Sequence, residues 1–137
     1  MRDFHKSFST DSSPEKAFGA IKLVAQWWTP NLEGNSENAG DEFSVRFGDV
    51  HYSRHKLTEV IANKKIVWLT TDSHLNFTKN SKEWTGTQVV FDISEANGKT
   101  KVDFTHAGLN PEIECFDACS NAWPEYVDKL KTLIENQ

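Results

Sequence analysis

Proline is missing from residues 31–110 of this 137-residue chain, whose four prolines are Pro14, Pro30, Pro111 and Pro124. Proline removes a ladder donor and breaks central strands, so a long stretch without it leaves room for consecutive strands. Cysteine is scarce too: Cys115 and Cys119 are the only pair, four apart in an expected helix and poorly oriented for a disulfide. They read as two thiols packed as small hydrophobes, with a redox pair or a metal half-site as the alternatives. No Lys/Arg cluster exceeds two adjacent residues, and the net charge is −5. Nucleic acid and anionic membranes call for a dense basic face, so neither is expected as a partner. No apolar run approaches the roughly 18 residues of a membrane span. The opening Met1-Arg2-Asp3-Phe4-His5-Lys6-Ser7-Phe8 is too polar for a signal peptide, so a cytoplasmic chain is expected. A Gly-rich phosphate loop, a nucleophile elbow and a zinc signature are all lacking. No catalytic residue, metal ligand or cofactor is therefore assigned.

What remains fits one domain over residues 1–137, long enough for a single core without staples. Nine Phe and five Trp make its apolar residues large. Phe4, Lys6 and Phe8 alternate with polar neighbours as a half-buried first strand does. Ser12-Ser13-Pro14-Glu15 then signals a helix start, with Glu15 three after Ser12. Ala17, Phe18, Ile21, Val24 and Ala25 continue at helical spacing up to Trp27-Trp28, and Thr29-Pro30-Asn31 breaks the run. The Gly-rich stretch 32–41 reads as a loop. Phe43, Val45 and Phe47 mark a second strand, Gly48-Asp49 a hairpin turn, and 50–60 a long third strand. After the Ala62-Asn63 turn, Ile66-Val67-Trp68-Leu69 is apolar on both faces, as a central strand is. The stretch 73–84 is ambiguous, with Leu75-Asn76-Phe77 a candidate short strand. Thr87, Val89, Phe91 and Ile93, then Thr100, Val102, Phe104 and His106, flank the strong hairpin signal Asn97-Gly98. The final helix carries Phe116, Cys119, Trp123, Val127, Leu130 and Ile134 on one stripe. Pro124 within it predicts a kink or break near 120–123.

Three groups of residues bear on function. His51 and His55 are four apart, a spacing that spans roughly 13 Å on a strand and is too wide for one metal ion; they read as surface histidines. His106 shares the inward parity of Val102 and Phe104. It is either a core histidine bonded to a backbone carbonyl or a polar group aimed into a ligand cavity. Asp103 points to the opposite face and is no partner for it. Trp27 and Trp28 are neighbours on a helix, so one is expected in the core and the other at a cavity rim. Residues 34–40, rich in glycine and polar side chains, are the candidate mobile lid.

Ser13-Pro14-Glu15-Lys16-Ala17-Phe18, Trp27-Trp28, and Leu57-Thr58-Glu59-Val60 leading to Lys65-Ile66-Val67-Trp68 carry a family resemblance. So do Thr87, Phe104-Thr105-His106-Ala107-Gly108, and Trp123 with Leu130. In that order the chain resembles the START-like, birch-pollen-allergen-type helix-grip proteins of the SRPBCC superfamily. More narrowly it is similar to the branch of homologues of the activator of heat-shock protein 90 ATPase. The resemblance implies an α+β fold: a curved six- or seven-stranded antiparallel sheet wrapped around a long C-terminal helix, with two short helices after the first strand. It also implies a cavity between sheet and helix. Members bind lipids, polyketides or other hydrophobic molecules, and some catalyse cyclisation or dehydration.

The leading expectation is non-catalytic binding of a small hydrophobic or aromatic molecule. Trp27, Trp28, Phe43, Val45, Trp68, Phe91, Phe104, His106 and Trp123 line the cavity, because they share inward parity. A chaperone-associated regulator and a cyclase or dehydratase are the competing readings, and the chain is a monomer or a homodimer.

Overall fold

The computed structural model describes residues 3–48, 51–76, 79, 81–109 and 116–136, with the backbone alone over 116–120. Cys115, the side chain of Cys119, the Asp49 half of the first hairpin turn and Phe77 of the candidate short strand lie outside what is described.

The first strand, β1 (Phe4–Thr10), is followed by α1 (Pro14–Lys22) and the single-turn α2 (Val24–Trp27). Ser13 caps α1 by accepting the Lys16 N–H on its hydroxyl, with Pro14 at the first helical position. The expected pairing of Ser12 with Glu15 does not form. Ser12 instead donates its hydroxyl to the Ile134 carbonyl at the far end of the chain, 3.3 Å away.

Strands β2 (Leu32–Gly34), β3 (Glu42–Phe47), β4 (His51–Ile61), β5 (Lys65–Leu75), β6 (Gln88–Ala96) and β7 (Lys99–Ala107) come next. Together with β1 they make one seven-stranded antiparallel sheet in the order β1-β7-β6-β5-β4-β3-β2. The apolar 66–69 run therefore sits in the middle strand. Asn97 and Gly98 both adopt positive φ, 56° and 78°, which the tight β6–β7 hairpin requires. The helix α3 (Phe116–Glu135) completes the helix-grip arrangement against the curved sheet.

Three expectations are corrected. Residues 32–34 are a short edge strand rather than loop, because Leu32 to Gly34 pair with Val45 to Phe43. The helix α3 runs unbroken through Pro124. Its buried stripe of Trp123, Val127, Leu130 and Ile134 holds both halves on the sheet, so tertiary packing offsets the one missing backbone bond. The 34–40 segment is tied down: Ser36 donates to the Lys22 carbonyl (2.8 Å), Gly40 N–H to the Leu57 carbonyl (2.7 Å), and Asp41 accepts the Asn38 N–H (2.9 Å).

The core lies between the sheet and the helices. Ala17, Ala20, Ile21 and Val24 from the short helices meet Val89, Phe91, Val102 and Phe104 from the sheet and Val127, Leu130 and Ile134 from α3. The C-terminal end of α3 is tied to the first strand and the turn after it, since Thr10 donates its hydroxyl to Glu135 at 3.1 Å beside the Ser12–Ile134 bond.

Candidate functional site

All nine residues expected to line a cavity are buried and gathered on the concave side of the sheet. Strands β3, β5, β6 and β7 supply Phe43 and Val45, Trp68, Phe91, and Phe104 with His106, because alternate residues of a strand share a face. Trp27 and Trp28 come from the end of α2, and Trp123 from α3. The rings meet one another directly. Trp68 stacks on Trp27 (6.1 Å between centroids) and on Trp28 (5.7 Å), and Trp28 stacks on Trp123 at 5.0 Å. Phe43 and Phe91 each stand edge-on to Trp68 at 5.0 Å, and Phe104 lies 4.7 Å from Trp123.

The expectation that only one of Trp27 and Trp28 faces inward is overturned: they are 1% and 5% exposed. The single turn α2 is enclosed on two sides. Trp27 reaches the sheet at Trp68 and Phe91, while Trp28 spans from Trp68 across to α3. A helix covered on two sides has no obligatory outward position for the second ring.

His106 is fully buried, and its partners are neither a backbone carbonyl nor open space. Trp123 donates its indole N–H to Nδ1 across 3.0 Å, and Nε2 lies 2.9 Å from the Thr87 hydroxyl. That hydroxyl gives its one proton to the Trp84 carbonyl at 2.6 Å, so it must accept from His106. His106 is thereby held as the neutral Nε2–H tautomer. Burial, helped by the nearby His51, pushes its pKa down to about 3. Asp103, as expected, faces the other way and meets His5.

The reading of His51 and His55 as surface residues is wrong. His55 is fully buried against Trp28, Phe43 and Trp68, and His51 is half-buried. Leu57 is the apolar anchor of this half of β4, and His51, Ser53 and His55 all share its parity. That alternation was present in the sequence and points all of them inward. Desolvation holds the His55 pKa well below its usual value and lowers that of His51 to about 4.

These residues form a hydrogen-bonded line under the aromatic rings. His51 Nε2 lies 3.0 Å from the Ser53 hydroxyl, which lies 2.8 Å from His55 Nε2. His55 Nδ1 lies 3.1 Å from the Thr70 hydroxyl, and Thr70 lies 3.5 Å from Thr87. Backbone bonds from Thr70 N–H to the Thr87 carbonyl (2.9 Å) and from Gly86 N–H to the Thr70 carbonyl (2.8 Å) hold the two threonines together. Sequence reasoning also missed Trp84. It lies in a turn with no periodic signal, yet its ring stands edge-on to both His51 and His106 at 4.6 Å.

At its outer end the cluster reaches partly exposed rings. Phe47 and Tyr126 are half-buried like His51, with Phe47 5.1 Å from His51 and 5.8 Å from Tyr126. Two open surface clefts elsewhere, of about 540 and 490 Å³, include none of the nine residues. Among the described residues no group of three or more His, Cys, Asp or Glu is placed to hold a metal ion. No described helix is long and apolar enough to cross a membrane.

Residues 11–135 match the family model described as Activator of Hsp90 ATPase homolog 1-like protein. Among solved structures, the Aha1 dimer from Colwellia psychrerythraea is 25% identical with a TM-score of 0.78, covering 98% of this chain and 97% of that one. Protein MLL2253 from Mesorhizobium loti is 16% identical with a TM-score of 0.75, covering 97% and 98%. DynU16, from the dynemicin biosynthetic locus, is 15% identical with a TM-score of 0.70, and the match spans 98% of this chain and 48% of DynU16. A search of the curated proteins gave no match.

Proposed function

Because the chain belongs to the family of Activator of Hsp90 ATPase homolog 1-like proteins, we propose that it acts through the space between the curved sheet and α3, as a non-catalytic module that binds a small hydrophobic or aromatic molecule. One observation carries this reading. The aromatic cluster runs ring to ring from fully buried Trp27 and Trp68 out to half-buried Phe47 and Tyr126. A core built only for stability has no need to continue ring to ring to the surface, through the tilted Trp28–Phe47 and Phe47–Tyr126 contacts, whereas a flat apolar ligand is held by such a run of aromatic side chains.

The nine cavity residues form the wall in this reading. A ligand replaces ring–ring contacts at the outer end, where Trp28 touches Phe47 and Trp123, rather than at the fully buried end. His106 is part of the wall and orients Trp123; both its nitrogens are already engaged.

Titration of the protein with 8-anilinonaphthalene-1-sulfonate, followed by probe fluorescence and by quenching of the tryptophans, tests the proposal. Saturable binding with one site, weakened by Trp28→Ala, is the expected result. Unsaturable or absent binding removes the reading.

A second reading, a chaperone-associated regulator, is favoured by the family description and by the 25% identity to the dimeric Aha1 protein. It carries with it a homodimer. Sedimentation of the purified chain alone and with Hsp90 distinguishes it: a co-sedimenting complex supports this second reading, and independent boundaries oppose it.

A further inference from the structure

The hydrogen-bonded line on the concave face has a direction, and the direction fixes what its outer end offers. Three interior links are close: His51 Nε2 to Ser53 (3.0 Å), Ser53 to His55 Nε2 (2.8 Å) and His55 Nδ1 to Thr70 (3.1 Å). Each hydroxyl has one proton to give, and each neutral imidazole has one. Only two arrangements satisfy the links.

In the first, Thr70 donates to His55 Nδ1, His55 Nε2–H donates to Ser53, and Ser53 donates to His51 Nε2. The proton of His51 is then on Nδ1. In the second every link is reversed, and His51 Nδ1 is a bare lone pair. The reversal leaves the Thr70 proton with no acceptor among the described residues, since in its one other side-chain contact, with Thr87 at 3.5 Å, Thr70 is the acceptor and the distance is marginal for a hydroxyl bond. Thr87 cannot shorten it by donating, because its proton is committed to the Trp84 carbonyl at 2.6 Å. The first arrangement therefore prevails.

His51 Nδ1 has no hydrogen-bond partner among the described residues. Among the described residues every buried side-chain nitrogen and oxygen has one. This nitrogen thus reaches the surface, on an imidazole whose ring neighbours are Phe47 (5.1 Å between centroids), Trp84 (4.6 Å) and Trp28 (6.4 Å). Burial keeps the ring neutral at ordinary pH, and protonation would leave Nδ1–H a donor in any case.

We infer that His51 Nδ1–H is the recognition donor of the aromatic site, and that the ligand is a flat aromatic molecule bearing a ring-conjugated carbonyl. The inference rests on the binding reading above. A conjugated carbonyl keeps its lone pairs in the plane of the ring system, so it accepts a bond at its edge while its faces stack on tryptophan. A purely hydrocarbon ligand would strip water from Nδ1–H and leave it unpaired, and a ligand offering only a donor would face the N–H head-on. Ser53 is a positioning residue, because its proton on Nε2 is what sends the His51 proton outward.

The test uses two probes of the same shape, 9-fluorenone with a carbonyl and fluorene without one, titrated by tryptophan quenching at pH 7.5. Fluorenone should bind about tenfold more tightly than fluorene, the effect of one net hydrogen bond. His51→Phe should remove that difference while leaving fluorene binding within about twofold. In the ligand-free protein, ¹⁵N NMR of the imidazoles should show a pyrrole-like Nδ1 and a pyridine-like Nε2 at His51. Ser53→Ala should mix the two tautomers and reduce the fluorenone preference. Equal binding of the two probes, or a pyridine-like Nδ1, overturns the inference while leaving the binding reading intact. Failure of both probes to bind overturns both.

Discussion

Trp123 on the last helix and His106 on the last strand are joined by a 3.0 Å hydrogen bond between two fully buried rings, indole N–H to imidazole Nδ1. The bond ties α3 to β7. It also explains why His106, placed correctly by its parity, is a tie within the core.

Removing the large ring should be expensive. Trp123→Ala is expected to lower stability by about 3–5 kcal/mol, the usual range for a buried tryptophan. Urea unfolding followed by circular dichroism reads this directly, and a loss under about 1 kcal/mol would place the ring outside the core.

His106→Phe fills the same space but strands the Trp123 N–H. The expected loss is about 1–3 kcal/mol, the desolvation cost of one unpaired buried donor. The same melts measure it, and an unchanged midpoint would show that the Trp123–His106 bond contributes nothing.

Acid should destabilise the fold through its buried histidines. His106, at about 3, and His51, at about 4, are depressed below the ordinary 6.5, and His55 shifts in the same direction. Unfolding restores their affinity for protons, so the unfolded chain binds more of them below pH 6.5. Stability is complete above that pH and is lost progressively as pH falls toward the folded values. At pH 5, His106 alone accounts for a loss of about 2 kcal/mol. Urea midpoints at pH 7.5 and 5.0 check it; equal midpoints would mean the imidazoles are already protonated or exposed.

Gly108 follows β7 with φ of +102°, and a Cβ placed there would meet Thr87 Cγ2 at 2.7 Å. Gly108→Ala should therefore destabilise by about 1–3 kcal/mol through strain and collision. Adding Thr87→Ser, which keeps the hydroxyl but removes the colliding methyl, should recover part of that loss. A double-mutant cycle on thermal unfolding would expose an additive, uncoupled pair as the opposing outcome.

The fold was legible because its signals were periodic. Phe43, Val45, Phe91, Val102 and Phe104 alternate, Asn97-Gly98 turns, and Trp123 to Ile134 keeps helical spacing, each independent of distant contacts. Parity also gathered the six strand residues Phe43, Val45, Trp68, Phe91, Phe104 and His106 on one face. It failed only where it was not applied: His55 and Ser53 share the parity of Leu57, but attention to metal spacing put both histidines at the surface. Trp84 and the double burial of Trp27 and Trp28 had no local signature. They depend on how a turn and a one-turn helix are enclosed by elements far away in sequence. Hydrogen-bond direction along Ser53, Thr70 and Thr87 likewise emerges only from measured separations.

The strand order sets a timetable for making the molecule. β1 lies at the sheet edge beyond β7, with Phe4 opposite His106 and its N–H on the Leu109 carbonyl. A growing chain therefore holds its first strand idle until its seventh has left the ribosome, and the helix that covers the concave face is later still. During that interval the tryptophans of α2 and β5 have a sheet but no lid of protein above them. Contacts so distant in sequence are slow to form and leave apolar surface bare meanwhile. Translation halted before α3 is expected to leave a fragment with its aromatic face bare, because Trp123, Val127, Leu130 and Ile134 that cover it are missing.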